Sequence, residues 1–558
     1  MAAHRTISEN FADGIGQSLR RNWDVPCFSD LDGSTLTCAD VARRIARLHR
    51  FFDALDLRPG DRVGLVGRNS AHWAVVYLAT VTRGAVIVPI LPDFTGAEIE
   101  HIVRHSGCRA LFLADAAADA IDCDKTPSVE AAARLRDFAP LHESGRKAAA
   151  ALAVLATPFS AADAPQLPAD LKLPLVAGDS LATIVYTSGT TGFSKGVMLT
   201  HRALMVNVRF FIDHVTLHPA DNMVSFLPLA HAFGCAFDFL APFFAGCHIT
   251  FIDKVPTPKV LLAAFAALKP VVVMSVPLII EKIYRNRVKP QLESPNVQLM
   301  LKVPGLRALV HRKIQAALYE AFGGSYRELV VGGAALNRDI EQFFRKIGFN
   351  LTCGYGMTEC GPLISYSVSA DKPPVGSVGR VIPYLECRID GAEKPGDIGE
   401  VLVRGENRMI GYFQDDEATA GAIDGDGWLH TGDLGRFDAE GFLYLTGRSK
   451  NMILTASGQN IYPEEIESRL NNMPCVEESL VIEREGRLLA LVYPDLESVD
   501  RACLKGGQVE VRMEANRQEL NQKLPGYAQI AKLKILYEEF EKTPTKKIKR
   551  RVYDAFAG

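Results

Sequence analysis

The strongest constraint on the fold is the alternation of helix-like and strand-like patterns between residues 36 and 115. The stretch ADVARRIARLHRFFDAL repeats apolar residues at helical spacing, and LRPGDRVGLVG then turns through Pro-Gly-Asp into a short apolar strand. SAHWAVVYLATVTRGAVIVPI repeats this order, as does the later stretch LLAAFAALKPVVVMSVP. Helices alternating with strands predict right-handed βαβ units. We therefore expect an α/β fold with two parallel-rich sheets in a large N-terminal domain.

The pattern changes near residue 375, where short strands alternate with Gly/Asp turns, as in GDIGEVLVRG and GRFDAEGFLYLTGR. Such strands predict a small β-barrel or meander at about 375–447, inside an N-terminal domain of residues 1–447. Residues 451–558 are numerous enough for a small domain of their own, in which YPEEIESRL predicts a helix that begins near Pro463. We interpret the Ala- and Pro-rich segment at 145–180 as a surface connection.

Composition excludes several classes of protein. The 558 residues are 48% hydrophobic and 23% charged, and the formal net charge is only −3, which does not favour nucleic acid as a partner. Eleven cysteines are scattered without a CxxC pair, which is typical of reduced thiols in a cytoplasmic protein. The start of the chain lacks the apolar core of a signal peptide, and the longest apolar run, VVVMSVPLII, is too short to span a bilayer. Peripheral contact with a membrane stays open.

One stretch, IVYTSGTTGFSKGVMLTH from Ile184 to His201, concentrates small hydrogen-bond donors around glycines. Backbone amides of a glycine-rich loop can converge on an anion, hydroxyls add donors, and Lys195 adds a charge suited to phosphate. We expect this loop to lie between a strand and a helix that begins at His201 behind an N-cap at Thr200. The spacing is not that of a Walker A loop, because Ser194 stands where that motif requires glycine. A Ser/Thr/Gly turn without a ligand is the alternative. The candidate phosphate-binding residues are Thr187, Ser188, Gly189, Thr190, Thr191 and Gly192.

The string YTSGTTGFSKGVMLTH resembles the phosphate loop of the adenylate-forming superfamily, which comprises acyl-CoA synthetases, luciferases and peptide-synthetase adenylation domains. The resemblance extends from LRPGDRVGLVGRNS to TPTKKIKR, and PLAHAFG, VPLIIEKIY and GRSKNMILTASGQNIYPEEIE are most similar to long-chain fatty acyl-CoA synthetases. It implies an adenylation domain followed by a small, mobile α+β domain. It also implies activation of a fatty acid with ATP to acyl-AMP, release of pyrophosphate, and transfer of the acyl group to CoA.

The resemblance assigns roles to the nucleotide-binding motifs. In TCGYGMTECG, Tyr355 would stack on adenine, Thr358 would contact the α-phosphate, and Glu359 would bind Mg²⁺ together with Thr190. In WLHTGDLGRF, Asp433 would bind the ribose hydroxyls, and Arg448 would meet ribose or phosphate. Taken alone, each of these residues is more typical of a turn or a charged surface.

The remaining roles concern the acyl group, the adenine pocket and the C-terminal domain. The resemblance places His231 beside the acyl carboxylate, as a binding or gating residue. Lys450 would be the hinge, within residues 448–450, and Lys547 would reach the active site for adenylation; its spacing from Pro544 favours it over Lys546. The glycines and alanine implied in these sites are Gly333 and Ala334 beside adenine, Gly332 and Gly356 beside the acyl group, and Gly458 beside the pantetheine arm of CoA.

Two other functions stay open. The same adenylation could deliver the acyl group to an acyl-carrier protein, or release the adenylate, as a fatty acyl-AMP ligase does. A nucleotide sensor without catalysis is a third hypothesis, which the presence of Lys195, Glu359, Asp433 and Lys547 disfavours. The apolar segment AFDFLAPFFAGC at 236–247 is predicted to be core more readily than acyl tunnel.

Overall fold

A computed structural model describes residues 8–157, 164–187, 194–454, 459–501, 503–504, 507–543 and 547–554. An eight-stranded sheet has a parallel centre in the order β8-β4-β3-β5-β6, and antiparallel strands flank it. Its strands are β3 (Arg62–Val66), β4 (Val86–Ile90), β5 (Cys108–Leu113), β6 (Ala131–Arg134), β7 (Pro140–Glu143), β8 (Leu181–Thr187), β9 (Lys195–Thr200) and β20 (Gly411–Tyr412).

A seven-stranded sheet in the order β14-β13-β12-β10-β11-β1-β2 is parallel except for the pair β1/β2. The sequence-based prediction of two parallel-rich sheets is confirmed. The strands of this sheet are β1 (Pro26–Asp30), β2 (Thr35–Thr37), β10 (Asn222–Ser225), β11 (His248–Phe251), β12 (Val272–Ser275), β13 (Glu328–Val331) and β14 (Leu351–Cys353).

Helices cover both sheets. Those of the N-terminal region are α1 (Phe11–Arg21), α2 (Cys38–Ala54), α3 (Ala71–Thr82), α4 (Gly96–Ser106), α5 (Asp115–Ala120), α6 (Gly145–Ala156), α7 (His201–His214), α8 (Ala232–Gly234), α9 (Ala241–Ala245), α10 (Pro258–Leu268), α11 (Pro277–Ile283), α12 (Lys289–Glu293), α13 (Pro295–Leu301), α14 (Pro304–Ala321), α15 (Arg338–Lys346) and α16 (Asp416–Ala422). Among the described helices, none combines the length and the apolar character that crossing a bilayer requires.

The core lies where the two sheets approach each other. Helix α3 is buried on nearly every side, as an apolar helix between two layers must be, and its Trp73 stacks on Tyr77 at 5.4 Å between ring centroids. Phe239 packs edge-on against both rings and also contacts Phe251 of β11. The segment 236–247 is therefore part of the core.

Residues 145–156 differ from the expected surface connection, because they form helix α6. Ala148, Ala151, Leu152 and Leu155 recur on one face of this helix and are buried, and the helix packs on α2. Alanine has the highest helix propensity, so an alanine-rich run with an apolar stripe forms a helix where Pro/Ala composition alone indicated a connection.

The region at about 375–447 forms short antiparallel strands, in agreement with the predicted small β-barrel or meander. Neighbouring strands are antiparallel and a Gly/Asp turn at 438–441 joins two of them, and the described strands belong to separate sheets of three and four strands. They are β15 (Tyr355–Gly356), β16 (Leu363–Tyr366) and β17 (Arg380–Val381), and β18 (Leu385–Ile389), β19 (Gly399–Gly405), β21 (Leu429–Phe437) and β22 (Leu443–Arg448).

A smaller C-terminal domain follows. The buried apolar residues of the large core run from Phe11 to Leu443, whereas two smaller clusters contain only residues from Ile461 onward. Alternate residues of one three-stranded sheet supply the two smaller clusters, so they lie on its opposite faces. The elements of this domain are β23 (Ile453–Leu454), β24 (Asn460–Ile461), α17 (Pro463–Leu470), β25 (Val476–Arg484), β26 (Arg487–Pro494), α18 (Leu496–Arg501), α19 (Gln508–Asn521) and β27 (Ile530–Ile535).

Polar contacts join the two domains. Lys282 of α11 forms an ion pair with Glu477 of β25 at 2.8 Å, and the Arg285 guanidinium donates to the Val476 carbonyl at 3.1 Å. A second contact brings the Asn337 amide within 3.4 Å of the Ser468 carbonyl. These contacts hold the C-terminal domain over the carboxyl edge of the seven-stranded sheet.

Candidate active site

The candidate site lies at the carboxyl ends of the parallel strands β10, β12, β13 and β14. The chain leaves this edge in the loop that contains His231, at Val276, at Gly332 and at Gly354. Gly332 N–H donates to the Ser275 carbonyl at 3.0 Å, and Gly354 N–H donates to the Val331 carbonyl at 2.9 Å, so these exits are fixed side by side. Ligands of open α/β sheets bind at such an edge.

Tyr355, Asp433 and Arg448 form one hydrogen-bonded group. The Tyr355 hydroxyl donates to Asp433 Oδ2 at 2.7 Å, and Arg448 Nε lies 2.9 Å from Asp433 Oδ1. Asp433 and Arg448 are directly opposite each other on β21 and β22, which explains why residues far apart in sequence meet. Burial raises the pKa of the Asp433 carboxyl, while the Arg448 charge and the Tyr355 hydroxyl act to lower it. Each oxygen of the carboxylate keeps a lone pair for a further donor, such as a ribose hydroxyl.

Glu359 and Lys195 are linked by a residue that the sequence did not single out, Tyr412. The Tyr412 hydroxyl donates to Glu359 Oε1 at 2.9 Å, and Lys195 Nζ lies 4.8 Å from the centroid of the Tyr412 ring. Tyr412 reaches this position because β20 pairs with β9, whose first residue is Lys195. Thr358 is buried in the same short helical turn as Glu359, Thr358–Cys360. The only sequence feature that could have drawn attention to Tyr412 is GYF at 411–413, in which two aromatic residues follow a glycine.

The donor set suits Mg²⁺ bound mainly by nucleotide phosphates. Within the described parts of the chain, no cluster of three His, Cys, Asp or Glu side chains is present that would hold a metal alone. Among described residues, Glu359 Oε1 accepts from Tyr412, and its Oε2 accepts no hydrogen bond. One carboxylate with phosphate oxygens and waters is a usual environment for Mg²⁺.

The predicted phosphate loop lies mostly outside the described residues. Ser188, Gly189, Thr190, Thr191 and Gly192 fall there, as does Gly458. Thr187 and Lys195 are described, and they face each other at the open end of the antiparallel pair β8/β9.

The prediction of a helix that begins at His201 behind an N-cap at Thr200 is confirmed, but a strand that the sequence analysis did not predict separates this helix from the loop. Residues 195–200 form strand β9, and α7 begins only at His201, with the Thr200 hydroxyl as its cap. Val197 and Leu199 are buried in the sheet, so this apolar run forms a strand antiparallel to β8 before the chain turns into the helix. The helix N-terminus is thus separated from the loop by a full strand.

Lys547 comes to the site from the C-terminal domain. A β-bridge between Lys542 and Ile548 and a 2.8 Å bond from Thr543 N–H to the Lys547 carbonyl form a hairpin, with Lys547 near its tip. The residue retains contact with solvent. Desolvation of its amino group and the charge of Arg448 lower the pKa of Lys547, while Asp433 and Glu359 act to raise it. The Lys547 amino group therefore shares one cleft with the candidate ribose and metal carboxylates.

Arg550, three residues beyond Lys547, attaches this hairpin to α17. Its guanidinium forms an ion pair with Glu467 and lies 3.9 Å from Glu464. Glu467 also accepts from Val481 N–H at 2.7 Å, and burial raises the pKa of its carboxyl to about 7. Glu464 accepts from the Asn451 amide at 2.6 Å, next to the predicted hinge at Lys450.

The surroundings of His231, at the predicted acyl side of the cleft, favour its neutral imidazole. Burial, with a smaller effect of the Lys547 charge, lowers the pKa of His231 to about 4. Phe233 N–H donates to His231 Nδ1 at 3.3 Å, which leaves the proton on Nε2. A neutral N–H suits a hydrogen-bond donor to a carboxylate, and this geometry disfavours a general base.

Two further features shape the acyl side. Asp238, which the sequence analysis did not single out, accepts from Phe226 and Leu227 N–H at 3.1 and 2.9 Å and so supports the loop that leads to His231. Burial raises the pKa of the Asp238 carboxyl to about 8. At Gly356 a Cβ atom would lie 2.1 Å from the Pro362 carbonyl oxygen, so only glycine is accommodated. The other predicted residues here, Gly332, Gly333 and Ala334, follow β13 at the same edge.

Comparison with known proteins identifies relatives along nearly the whole chain. The profile of the family described as AMP-binding enzyme matches residues 16–413. The chain is 31% identical to a long-chain-fatty-acid–CoA ligase of Mycobacterium bovis, over 94% of this chain and 91% of that one. It is 30% identical to a feruloyl-CoA synthase of Amycolatopsis, over 81% of each chain. The crystal structure of ATP-bound MatB from Rhodopseudomonas palustris matches with a TM-score of 0.75 and 25% identity, over 98% of this chain and 99% of that one.

Proposed function

This chain belongs to the AMP-binding enzyme family, and on that premise we propose that it is an ATP-dependent ligase that joins a fatty acid to CoA. Similarity to long-chain-fatty-acid–CoA ligases over most of the chain supports a fatty acid as substrate. The observation that carries the proposal is the convergence of Lys195, Glu359, Asp433, Arg448 and Lys547, from five separate parts of the sequence, on one cleft.

The first half-reaction converts a poor electrophile into a reactive one. A carboxylate resists attack by a thiol because oxide is a poor leaving group, whereas AMP is a good one. One carboxylate oxygen attacks the α-phosphorus of ATP, and the bond from phosphorus to the bridging oxygen breaks as pyrophosphate leaves. Such a step needs alignment and stabilisation of charge more than proton transfer. Bound Mg²⁺ would neutralise phosphate charge.

The residues of the cleft divide this work among them. We assign binding of the ribose to Asp433 and Arg448. Tyr355, whose hydroxyl is held by Asp433, would lie beside the adenine. Lys547 would place a positive charge at the reacting carboxylate and α-phosphate. Thr358 and Glu359 would lie beside the α-phosphate and the metal, and Thr190 would complete the metal site with Lys195 behind the phosphate loop.

His231 would bind the substrate carboxylate through Nε2–H without changing its protonation. Its lowered pKa keeps it neutral at physiological pH, so it neither attracts the acid as a cation nor removes a proton. The predicted neighbours Gly332 and Gly356 would leave room for the acyl group, with Gly333 and Ala334 beside the adenine.

The second half-reaction would use a different arrangement of the domains. We propose that residues 451–558 rotate about Lys450, within a hinge of residues 448–450, after the acyl-adenylate forms. Lys547 would then leave the cleft, and Gly458 would allow the pantetheine arm to approach. The CoA thiol attacks the acyl carbonyl carbon, and AMP leaves with the electrons of the cleaved C–O bond. The separation of the hydrophobic cores between Leu443 and Ile461 supports this boundary.

The substitution Lys547→Ala tests the assignment by separating the half-reactions. We expect pyrophosphate release with palmitate to fall by at least about 100-fold, and thioester formation from supplied palmitoyl-AMP to stay within about threefold. The matched control is Lys549→Ala, because Lys549 lies on the same tail and pairs with Glu541 at 3.4 Å, away from the cleft. Equal loss of both half-reactions in Lys547→Ala would contradict the assignment.

The acid and the acceptor are tested by one screen. We expect ATP-dependent turnover to be highest with long aliphatic acids, among a series from acetate to palmitate that includes ferulate, with CoA as acceptor. Faster transfer to a holo acyl-carrier protein than to CoA would favour the alternative synthetase activity. Absence of acid-dependent pyrophosphate release with every acid in the series would favour a nucleotide sensor without catalysis. A reducing compartment such as the cytoplasm is our proposed location, supported by the free thiols of its eleven cysteines.

A further inference from the structure

The chain between β12 and β13 makes a helical excursion whose tip exposes aliphatic side chains. Residues 302–309, which join α13 to α14 and begin α14, are all exposed. Within and beside them, Leu299 is 68% exposed, Val303 48%, Leu306 42% and Leu309 55%. Single exposed leucines are ordinary on protein surfaces, but four aliphatic residues at one tip form a patch. We call these four residues the aliphatic tip.

One face of helix α14 packs against the rest of the domain. Val310, Ile314 and Leu318 recur at a spacing of four residues and are buried against the rest of the domain. Leu306 continues this spacing but is exposed, and Leu309 lies off it and is also exposed, so the packing of α14 uses neither side chain. The aliphatic tip is therefore additional to the apolar face that holds the helix in place.

The charge around the aliphatic tip has one sign, between Glu293 and Glu320. From Ser294 to Tyr319 the sequence contains no aspartate or glutamate. The same stretch contains four cations, and each of them is exposed: Lys302, Arg307, Arg312 and Lys313. Lys302 and Arg307 stand within the tip itself, and Arg312 and Lys313 follow one turn later on α14. A surface that combines aliphatic side chains with cations alone is complementary to an interface that is apolar inside and anionic outside.

We propose that the aliphatic tip docks this protein on the surface of an anionic lipid bilayer. Aliphatic side chains would enter the boundary between headgroups and acyl chains, while Lys302 and Arg307 would contact lipid phosphates. A protein partner is less well matched, because aromatic anchors typical of protein interfaces are absent from residues 294–318 and acidic residues are absent from 294–319. Docking is peripheral, since no described helix is able to span the membrane.

The excursion starts close to the candidate acyl site, so docking through its tip would affect access of the substrate to that site. The excursion begins with α11 directly after Val276, at the same sheet edge as Gly332 and the candidate acyl site. Leu278, in the first turn of α11, is 43% exposed on the way from this edge toward the tip. If the substrate is a long-chain acid, which resides in membranes, docking through the aliphatic tip brings the acyl site to its source. This last step rests on the proposed function, whereas docking itself does not.

The experiment measures binding of the full-length protein to vesicles without any substrate. Flotation with phosphatidylcholine vesicles that contain phosphatidylglycerol should recover the protein, and vesicles of phosphatidylcholine alone should recover much less. Reversal of two charges in Lys302→Glu/Arg307→Glu should weaken partitioning by about 30-fold or more, because each cation near an anionic surface contributes about a factor of five. Leu306→Ser/Leu309→Ser should weaken it by at least about tenfold.

Matched controls come from α19, which also carries exposed apolar and basic residues. Val511 is 70% exposed and Arg512 is exposed beside it, so Val511→Ser/Arg512→Glu removes comparable groups away from the tip. This control should bind vesicles within about twofold of the unchanged protein. Thermal unfolding of every variant should match that of the unchanged protein, because the substituted side chains are exposed.

Three results would overturn the proposal. One is failure of the unchanged protein to bind anionic vesicles, and another is equal weakening by the tip variants and the α19 variant. The third is a change of oligomeric state in Leu306→Ser/Leu309→Ser with vesicle binding intact, which would make the tip an interface between copies. None of these results depends on catalysis, so loss of docking and failure of the ligase assignment are distinguishable.

Discussion

Glu467 gives the sharpest test of how the C-terminal domain is held together. Its side chain is only 11% exposed, it pairs with Arg550, and burial still raises the pKa of its carboxyl from the ordinary 4.5 to about 7. The Arg550 charge and the Val481 N–H act to lower this pKa but do not offset the desolvation. The structure therefore predicts that the ionised pair costs stability relative to a neutral side chain of the same shape.

The sign and size of the effect follow from linkage. A carboxyl whose pKa is raised in the folded state contributes its full stability below pH 4.5 and loses it as the pH rises to about 7. A rise of this size corresponds to roughly 3 kcal/mol of unfolding free energy. Glu467→Gln keeps an oxygen for Val481 N–H and cannot ionise. We expect it to stabilise the domain at pH 8 by up to that amount and to change nothing at pH 4.

Hydrogen exchange of the full-length protein measures this directly. Peptides from α17 and β25 should exchange on the order of 100-fold more slowly in Glu467→Gln than in the unchanged protein at pH 8, after correction for intrinsic rates, and equally at pH 4. Glu465→Gln is the control, since Glu465 lies on the same helix, has a side chain that is 40% exposed, and lies 3.9 Å from Arg338. Faster exchange in Glu467→Gln at pH 8 would refute the reasoning, because the ion pair would then be stabilising.

Two further predictions concern the cleft. Tyr412→Phe keeps the ring beside Lys195 and removes the hydroxyl that donates to Glu359. The Mg²⁺ concentration for half-maximal pyrophosphate release should therefore rise about tenfold. An unchanged Mg²⁺ dependence would show that Tyr412 does not position Glu359. The NMR resonance of the His231 imidazole is identified as the one that is lost in His231→Asn. In the unchanged protein this resonance should titrate near pH 4. A titration near pH 6.5 would contradict the neutral donor assigned to His231.

The sequence predicted those parts of the fold that depend on local periodicity. Alternating helices and strands gave the parallel sheets, and Pro463 and Thr200 marked helix starts that the structure confirms. The run KGVMLT at 195–200 was too short to separate a strand from the approach to a helix, so β9 was missed. The burial of its side chains depends on pairing with β8, and this pairing is a tertiary contact that local sequence does not reveal.

The candidate site shows the same limit. Resemblance assigned Glu359, Asp433 and Lys547, but Tyr412 was missed, because β20 is two residues long and gives no periodic signal. Its contact with Glu359 depends on pairing with β9, more than two hundred residues earlier in the chain. Asp238 was missed because a single carboxylate in an apolar run has no local partner, and the amides that it binds lie in the preceding loop.

The strengths of the contacts around Lys547 indicate how the proposed domain rotation would leave the hairpin that carries Lys547 intact. Lys282–Glu477 and Arg338–Glu465 cross between the domains, and all four side chains are partly or largely exposed, so each pair is worth only about 0–1 kcal/mol. The hairpin, in contrast, is attached within the C-terminal domain through Ile548, which packs on the buried cluster that contains Phe540 and Tyr553. A rotation about the proposed hinge therefore breaks weak contacts and carries Lys547 away on an intact support. The proposed mechanism requires this difference in contact strength, because the C-terminal domain would bring Lys547 to the cleft for one half-reaction and remove it for the next.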